Sequence, residues 1–398
     1  MINGLVHQAE WSSAKQSINA ILPIMKLLKI AGFIIILLAL PLAAGIVSWK
    51  QSKPPVKPLI FPAPSSSPLF RPPPLTLATI FAEDHSWTAT LSAEKLTTLI
   101  ATGDVIPARS VNVKTLESSD WRWLWLKTAD KLRQADLTFI NLETPLLTHC
   151  PVTNEGMIFC GDNRHLEGLQ FAGVDVVNLA NNHSGNWGQA GIEETINRLQ
   201  TQSMAVAGTT DNLAVVRINN LTFAFLGYND IPEFVPGIAQ AQEKTIKPEV
   251  AQAKTQADVV VVAFHWGTEY TDQPTQRQID LAHLAVDSGA DLVIGNHPHW
   301  IQPVEIYRDK LIMYAHGNFS FDQMWSQKTL EGVVGKYTFY DDQLVDIEFL
   351  PVLIENYGQP YWLEGRQKTT ILEQLKTLSR SAAWVTRAGN PQKLPATK

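Results

Sequence analysis

Five short apolar runs, each closed by polar residues able to bind metal, most constrain what this chain can fold into. They are Leu99 to Thr102 ending at Gly103-Asp104, Leu137 to Ile140 ending at Asn141-Leu142-Glu143, Val174 to Leu179 ending at Asn181-Asn182-His183, Val259 to Phe264 ending at His265, and Leu292 to Ile294 ending at Gly295-Asn296-His297-Pro298-His299. Consecutive rather than alternate positions are apolar, the pattern of strands buried on both faces. Between them, Trp121, Leu124, Trp125, Ala129 and Leu132 recur at helical spacing, as do Ile192, Ile196 and Leu199, and Ile279, Ala282, His283 and Val286. The alternation predicts an α/β core. Leu221 to Leu226 reads as a further strand. Lys310 to Tyr314, Tyr337 to Tyr340 and Leu344 to Val352 read as a second, more antiparallel sheet region, followed by a helix near Thr370 to Leu378.

Outside this core the chain divides by composition. Residues 1–29 are a polar segment, and residues 30–49 (IAGFIIILLALPLAAGIVSW) are twenty uncharged residues, about 30 Å as a helix and so the thickness of a bilayer core. They predict one transmembrane helix acting as a signal anchor, a cleaved signal peptide being the alternative. Residues 50–75 form a Pro-rich linker, with nine of the 24 prolines between Pro54 and Pro74. A globular domain follows over 76–380, then a tail over 381–398 expected to be disordered. Lys15, Lys26 and Lys29 before the span nearly balance Lys50, Lys53 and Lys57 after it, so charge does not orient it. The two cysteines do: Cys150 and Cys160 flank a short loop that a disulfide would close in an oxidising compartment. The expectation is therefore a single-pass protein of the cell membrane with its C-terminal domain extracytoplasmic. Free thiols and a cytoplasmic domain are the alternatives. With 32 Lys and Arg against 38 Asp and Glu, the chain has no broad attraction for nucleic acid, which is not expected as a partner.

Ligands of open α/β sheets gather beyond the carboxyl ends of the strands. Here those ends deliver Asp104, Glu143, Asn182 with His183, His265, and His297 with His299, a carboxylate, amide and imidazole set suited to divalent transition metals. Taken singly, each has a bland reading as a cap, surface charge or core histidine, but four of the ten histidines fall at these ends. His283, on an apolar helical stripe, is expected to be structural, and His7, His85, His149 and His165 have no supporting spacing. Arg109 lies close enough after Asp104 to pair with an anionic group, or else to form a surface salt bridge. Trp266, Tyr270, Trp300 and Trp325 flank the motifs, as groove walls or as core.

The ordered motifs GD, NLE, NLANNH, HWGTEY, GNHPH and YAHGNFSFD, from about Thr97 to Leu350, resemble the CapA family of poly-γ-glutamate capsule synthesis proteins, whose domain is similar to calcineurin-like metallophosphoesterases. The resemblance implies a four-layer α/β/β/α sandwich with a metal centre at one edge. It implies that Asp104 binds one metal, that Glu143 bridges two, that Asn182, His265 and His297 bind the second, and that His299 returns to the first. His183 then contacts the scissile group or protonates the leaving group. One or two ions of Mn, Fe or Zn are implied as cofactors. Implied partners are an anionic cell-surface polymer or its precursor, and capsule synthase membrane subunits.

The chain departs from the pattern at three places. Asp104-Val105-Ile106 lacks the second ligand of an Asp-x-His motif, Asn186 stands where the family commonly has aspartate, and Ala315-His316 replaces Ser-Leu. Asn186 is expected to lose an acceptor behind the centre. His316 either replaces a polar function or fills space. Two functions stay open: a membrane-anchored, metal-dependent phosphoesterase-like hydrolase in capsule polymer synthesis or processing, and a non-catalytic polymer-binding or assembly component of a capsule synthase complex.

Overall fold

The computed structural model describes residues 72–232 and 234–381. The expected segment 1–29, the apolar span 30–49, the linker up to residue 71 and the tail beyond residue 381 lie outside the described residues. Among the described residues no helix is long and apolar enough to cross a membrane.

The strands in chain order are β1 (Leu96–Val105), β2 (Leu137–Leu142), β3 (Leu146–Leu147), β4 (Gly161–Asp162), β5 (Val176–Asn178), β6 (Ala205–Ala207), β7 (Ala214–Ile218), β8 (Leu221–Asn229), β9 (Val259–His265), β10 (Leu292–Asn296), β11 (Val304–Tyr307), β12 (Lys310–Met313), β13 (Asn318–Ser320), β14 (Glu331–Tyr340), β15 (Gln343–Glu355) and β16 (Gln359–Trp362). One sheet runs β16-β15-β14-β1-β2-β5-β6, with β13 alongside β1, and the other runs β11-β12-β10-β9-β8-β7. β1, β2, β5 and β6 are parallel, as are β8, β9, β10 and β12. The antiparallel strands β14, β15 and β16 complete the first sheet.

Side-chain alternation explains why the core strands are apolar throughout. Leu99, Ala101 and Phe139 of the first sheet pack with Phe225, Val259, Val261 and Ile294 of the second in one shared core between the sheets. The intervening Ile100, Ile140 and Val177 point the other way, onto Leu169, Ile192 and Leu199 of the helices His165–Ala172 and Gly188–Thr201. Val260, Val262 and Val293 likewise face Ile246, Val250, Leu281 and Ala285 of the helices Glu243–Lys254 and Gln276–Asp287. The result is a mixed α/β fold in which helices cover the outer faces of two stacked sheets.

Two expectations are corrected. Lys310 to Tyr314 does not share a sheet with the later strands: β12 pairs parallel to β10, whereas β14 and β15 extend the sheet of β1. Leu311, Ile312 and Met313 are all buried, which suits a strand covered on both faces, and β12 pairs antiparallel to β11 on its other side. The helical spacing from Trp121 to Leu132 yields only a 3₁₀ turn, Trp123–Trp125, and one helical turn, Ala129–Leu132. There the Asp120 carboxylate takes the Arg122 N–H and the Thr128 hydroxyl donates to the Trp125 carbonyl, offering the backbone partners that compete with a continuous helix.

Candidate metal centre

β1 delivers Asp104 through a tight crossing. Its register with β2 and β13 shifts around this residue, and a Cβ on Gly103 would lie 2.1 Å from the Gly317 carbonyl, so only glycine lets β1 approach here. Gly295 does the same for β10, where an added Cβ would lie 1.9 Å from the Tyr314 carbonyl. Beyond β10, His297 and His299 take φ of 95° and 57° on either side of Pro298. Two left-handed histidines are costly conformations that persist only where surrounding structure fixes them, and such strain gathers at functional sites.

The strand ends converge. Asp104, Glu143 and His265 are fully buried, and His297 and His299 nearly so. Asp104, Glu143 and His265 each place a ligand atom within 4.8 Å of the others, and so do Glu143, His297 and His299, with Glu143 common to both groups. His265 Nε2 stands 3.3 Å from Glu143 Oε1, 2.8 Å from Asn182 Oδ1 and 3.2 Å from His297 Nδ1. His299 Nδ1 lies 3.2 Å from Asp104 Oδ2, and the His297 N–H donates to that same oxygen. All six expected ligands thus meet at one place, and the two overlapping groups form although Val105 and Ile106 point into the core.

Both Glu143 oxygens are sealed from solvent without a hydrogen-bond partner. Burial, and then the Asp104 charge, push its carboxyl well above the usual carboxylate range. Burial also drives His265 down to about 3 and His297 well below the ordinary imidazole value. His299 goes the other way, up to about 9: burial opposes its protonation, but Glu143 and Asp104 outweigh that. Orphaned carboxylate oxygens facing neutral imidazoles are what a divalent cation repairs, so the donor set fits one.

Asparagines fix these groups. Asn141 donates from Nδ2 to Asp104 Oδ1 at 2.8 Å and faces His265 Nδ1 at 3.3 Å, while its Oδ1 accepts from Asn178 at 2.9 Å. Asn318 Oδ1 faces His299 Nδ1 at 2.9 Å, with its Nδ2 held by the Thr329 carbonyl. Sequence reasoning missed both roles, although Asn141 stands in NLE and Asn318 in YAHGNFSFD, two of the motifs singled out.

The expected loss of an acceptor at Asn186 does not occur. Asn186 Oδ1 lies 3.0 Å from His183 Nδ1 and also accepts the Phe159 N–H at 2.7 Å. A backbone N–H can only donate, so the amide oxygen faces the ring and His183 Nδ1 is the donor. His183 Nε2 is left with its lone pair, 4.0 Å from Glu143 Oε1, and burial lowers the ring to about 4. The expected disulfide Cys150–Cys160 is present, and the loop it closes stacks Phe159 on the His183 ring at 4.0 Å.

A cavity of about 240 Å³ opens beside His183 and His299, lined also by Arg109, Phe159, Glu269, Tyr270 and Trp325. Arg109 sits between the rings of Phe159 and Phe321 and pairs with Asp322. Tyr270 and Trp325 form one cavity wall, whereas Trp266 is core, stacked on Phe264, and Trp300 lies behind Tyr270, under Lys328, and lines a separate cavity. His316 fills a buried position between the Tyr337 hydroxyl and the Gly295 carbonyl. His85, His165 and His283 bond to Asp346, Asn112 and Glu305 and take no part in the centre.

Paired sheets whose strand ends pool carboxylates and imidazoles around an orphaned glutamate define the class: a mixed α/β protein with a buried side-chain cluster that fits a divalent cation. More particularly, residues 98–323 match the family model described as "Bacterial capsule synthesis protein PGA_cap", and the chain belongs to that family. It is 32% identical over 229 residues to the "PGA biosynthesis protein CapA" of Bacillus subtilis (strain 168), covering 54% of this chain and 60% of that one. It is 28% identical over 315 residues to the "Capsule biosynthesis protein CapA" of Bacillus anthracis, covering 73% and 75%. Among solved structures, a "novel phosphatase" of Mycoplasma pneumoniae aligns over 69% of this chain and 96% of its own at 14% identity, with a TM-score of 0.39. A hypothetical protein of Thermus thermophilus aligns over 66% and 100% at 15% identity, with a TM-score of 0.45. Both structural likenesses are too distant to bear on chemistry.

Proposed function

We propose that this chain serves capsule synthesis as a divalent-metal-dependent hydrolase or transferase acting on a poly-γ-glutamate-type polymer or its precursor. The observation that carries the reading is Glu143, whose two orphaned oxygens stand where both ligand groups overlap. Asp104, Glu143, Asn182, His265, His297 and His299 would hold one or two ions. A cation bound there supplies Lewis acidity toward a carbonyl or phosphoryl oxygen. Asn141 and Asn318 orient the ligands, and His183 offers Nε2 to a proton of the reacting groups while Asn186 holds Nδ1. The names of the Bacillus relatives support the polymer. The disulfide supports an extracytoplasmic domain, and the apolar run 30–49 supports a membrane tether.

The test is metal content of the full chain together with turnover of a chromogenic phosphodiester and of a γ-glutamyl oligomer, with and without Mn²⁺. Stoichiometric metal and turnover abolished by His183→Ala are expected. Protein that takes up no metal yet retains the oligomer would refute the enzyme and leave a polymer-binding component.

A further inference from the structure

The HWGTEY turn holds the histidine loop as well as supplying His265. Just past β9 the Trp266 N–H donates to the Asn296 carbonyl at 3.2 Å, and at the far end of the turn the Tyr270 N–H donates to the Pro298 carbonyl at 2.8 Å. These two bonds bracket His297, and His299 follows directly after the second. Trp266 is fully buried with its indole N–H on the Tyr314 carbonyl, so the near end of the turn is fixed. The far end is Tyr270, whose φ of 60° is a strained value for an aromatic residue. A single hydrogen bond thus joins the left-handed Tyr270 to the proline between the left-handed His297 and His299. Backbone in such conformations persists only where its surroundings over-determine it.

The Tyr270 side chain supplies that constraint. Its hydroxyl oxygen accepts from Gln323 Nε2 at 2.8 Å, and its O–H donates to the Glu269 carboxylate. The Trp325 ring meets the Tyr270 ring edge-on at 4.9 Å, and the His299 ring lies tilted against it at 6.1 Å. Gln323 is itself buried: its Oε1 accepts from Asn318 Nδ2 at 3.5 Å, and its carbonyl takes the Thr329 hydroxyl at 2.7 Å. Asn318 is the residue whose Oδ1 faces His299 Nδ1. Tyr270 therefore reaches His299 by two routes, through its backbone to Pro298 and through its hydroxyl by way of Gln323 and Asn318.

We propose that Tyr270 is a positioning residue of the metal centre: it clamps the His297-Pro298-His299 loop in its left-handed shape before a cation binds. The inference rests on the metal centre read above and deepens it. A loop already held in its binding shape avoids the cost of ordering two strained histidines on association, and without the clamp that cost falls on metal affinity.

The experiment is calorimetric titration of Mn²⁺ into the chelator-stripped full chain, for wild type, Tyr270→Phe, Gln323→Met and the double variant. Tyr270→Phe keeps the ring and the backbone and loses only the hydroxyl, so Mn²⁺ affinity should fall about fivefold, the size of one lost hydrogen bond. The double variant should lose no more than Gln323→Met alone, because both changes remove the same contact. Tyr270→Ala, which also removes the ring, should weaken Mn²⁺ binding about 10–100-fold. A merely structural role would lower the metal-free melting temperature of the variants and leave their Mn²⁺ affinity at the wild-type value. That result, or additive losses in the double variant, would overturn the clamp and leave the metal centre standing. Wild-type protein that takes up no Mn²⁺ would overturn both.

Discussion

Glu143→Met changes the centre where its two ligand groups overlap, and it should move stability in opposite directions with and without metal. In metal-free protein the buried carboxyl has no hydrogen-bond partner on either oxygen. An unsatisfied buried polar group costs about 1–3 kcal/mol, and methionine fills a similar volume without a polar atom. Because the folded-state carboxyl titrates well above its ordinary value of 4.5, the unfolded chain ionises first as pH rises. Stability is therefore lost from about pH 4.5 upward until the folded group ionises, and the variant's advantage should be largest at alkaline pH. At about 2 °C per kcal/mol for a domain of this size, the chelator-treated variant should melt roughly 2–6 °C above wild type at pH 8. Added Mn²⁺ at a thousandfold excess over its Kd should then stabilise wild type by about 4.1 kcal/mol, and the variant much less. Scanning calorimetry of both proteins with chelator and with Mn²⁺ measures the crossing. A metal-free variant less stable than wild type, or equal gains from metal, would refute the account of Glu143 as an orphan awaiting a cation.

Three further outcomes follow from groups around and beyond the centre. His165 is buried, bonded through Nε2 to Asn112 with Nδ1 unpartnered, and held down to about 4, so its stabilising contribution is complete above pH 6.5 and fades as pH falls toward 4. His165→Gln should lack this loss, about 3 kcal/mol across that window, read as the wild-type-minus-variant difference in urea midpoints. Replacing Cys150 and Cys160 together by serine should cost about 2–3 kcal/mol, seen as a lowered melting temperature with metal content retained. Asn186→Ala removes the acceptor shared by His183 and the Phe159 N–H, and should lower turnover roughly 10–100-fold while metal content is kept.

The parts of the fold legible in the sequence were those whose physics is local. Uniformly apolar runs such as Val259 to Phe264 announce burial on both faces, and the structure supplies a shared core on one side and helices on the other. Sheet membership was not legible, because a run such as Lys310 to Tyr314 states that it is buried and not beside which strand. Its neighbour β10 is decided by a crossover with no signature in the run itself. The broken helix at Trp121 to Leu132 failed for a related reason: apolar spacing measures a buried stripe, while Asp120 and Thr128 decide whether the backbone keeps helical bonds along it.

Metal-type ligands were legible because carboxylates and imidazoles at strand ends are chemically conspicuous, whereas the amides that orient them are not. Asn141, Asn186 and Asn318 look like ordinary loop and strand-end residues, yet each fixes how a neighbouring polar group is turned. Asn141 turns its oxygen to Asn178, so its nitrogen must face both Asp104 and His265 Nδ1. Asn318 turns its nitrogen to the Thr329 carbonyl, so its oxygen faces His299. Asn186 turns its oxygen to the Phe159 N–H, so His183 must donate from Nδ1. An aspartate at position 186 would also accept from Nδ1, but it would add a charge that holds a proton on the ring, whereas the neutral amide leaves Nε2 free to accept one. The departure at Asn186 thus fixes the direction in which His183 exchanges its proton, and that direction follows from a loop residue, Phe159, whose N–H donates to the amide while its carbonyl accepts from the Trp187 indole, in the loop the disulfide closes.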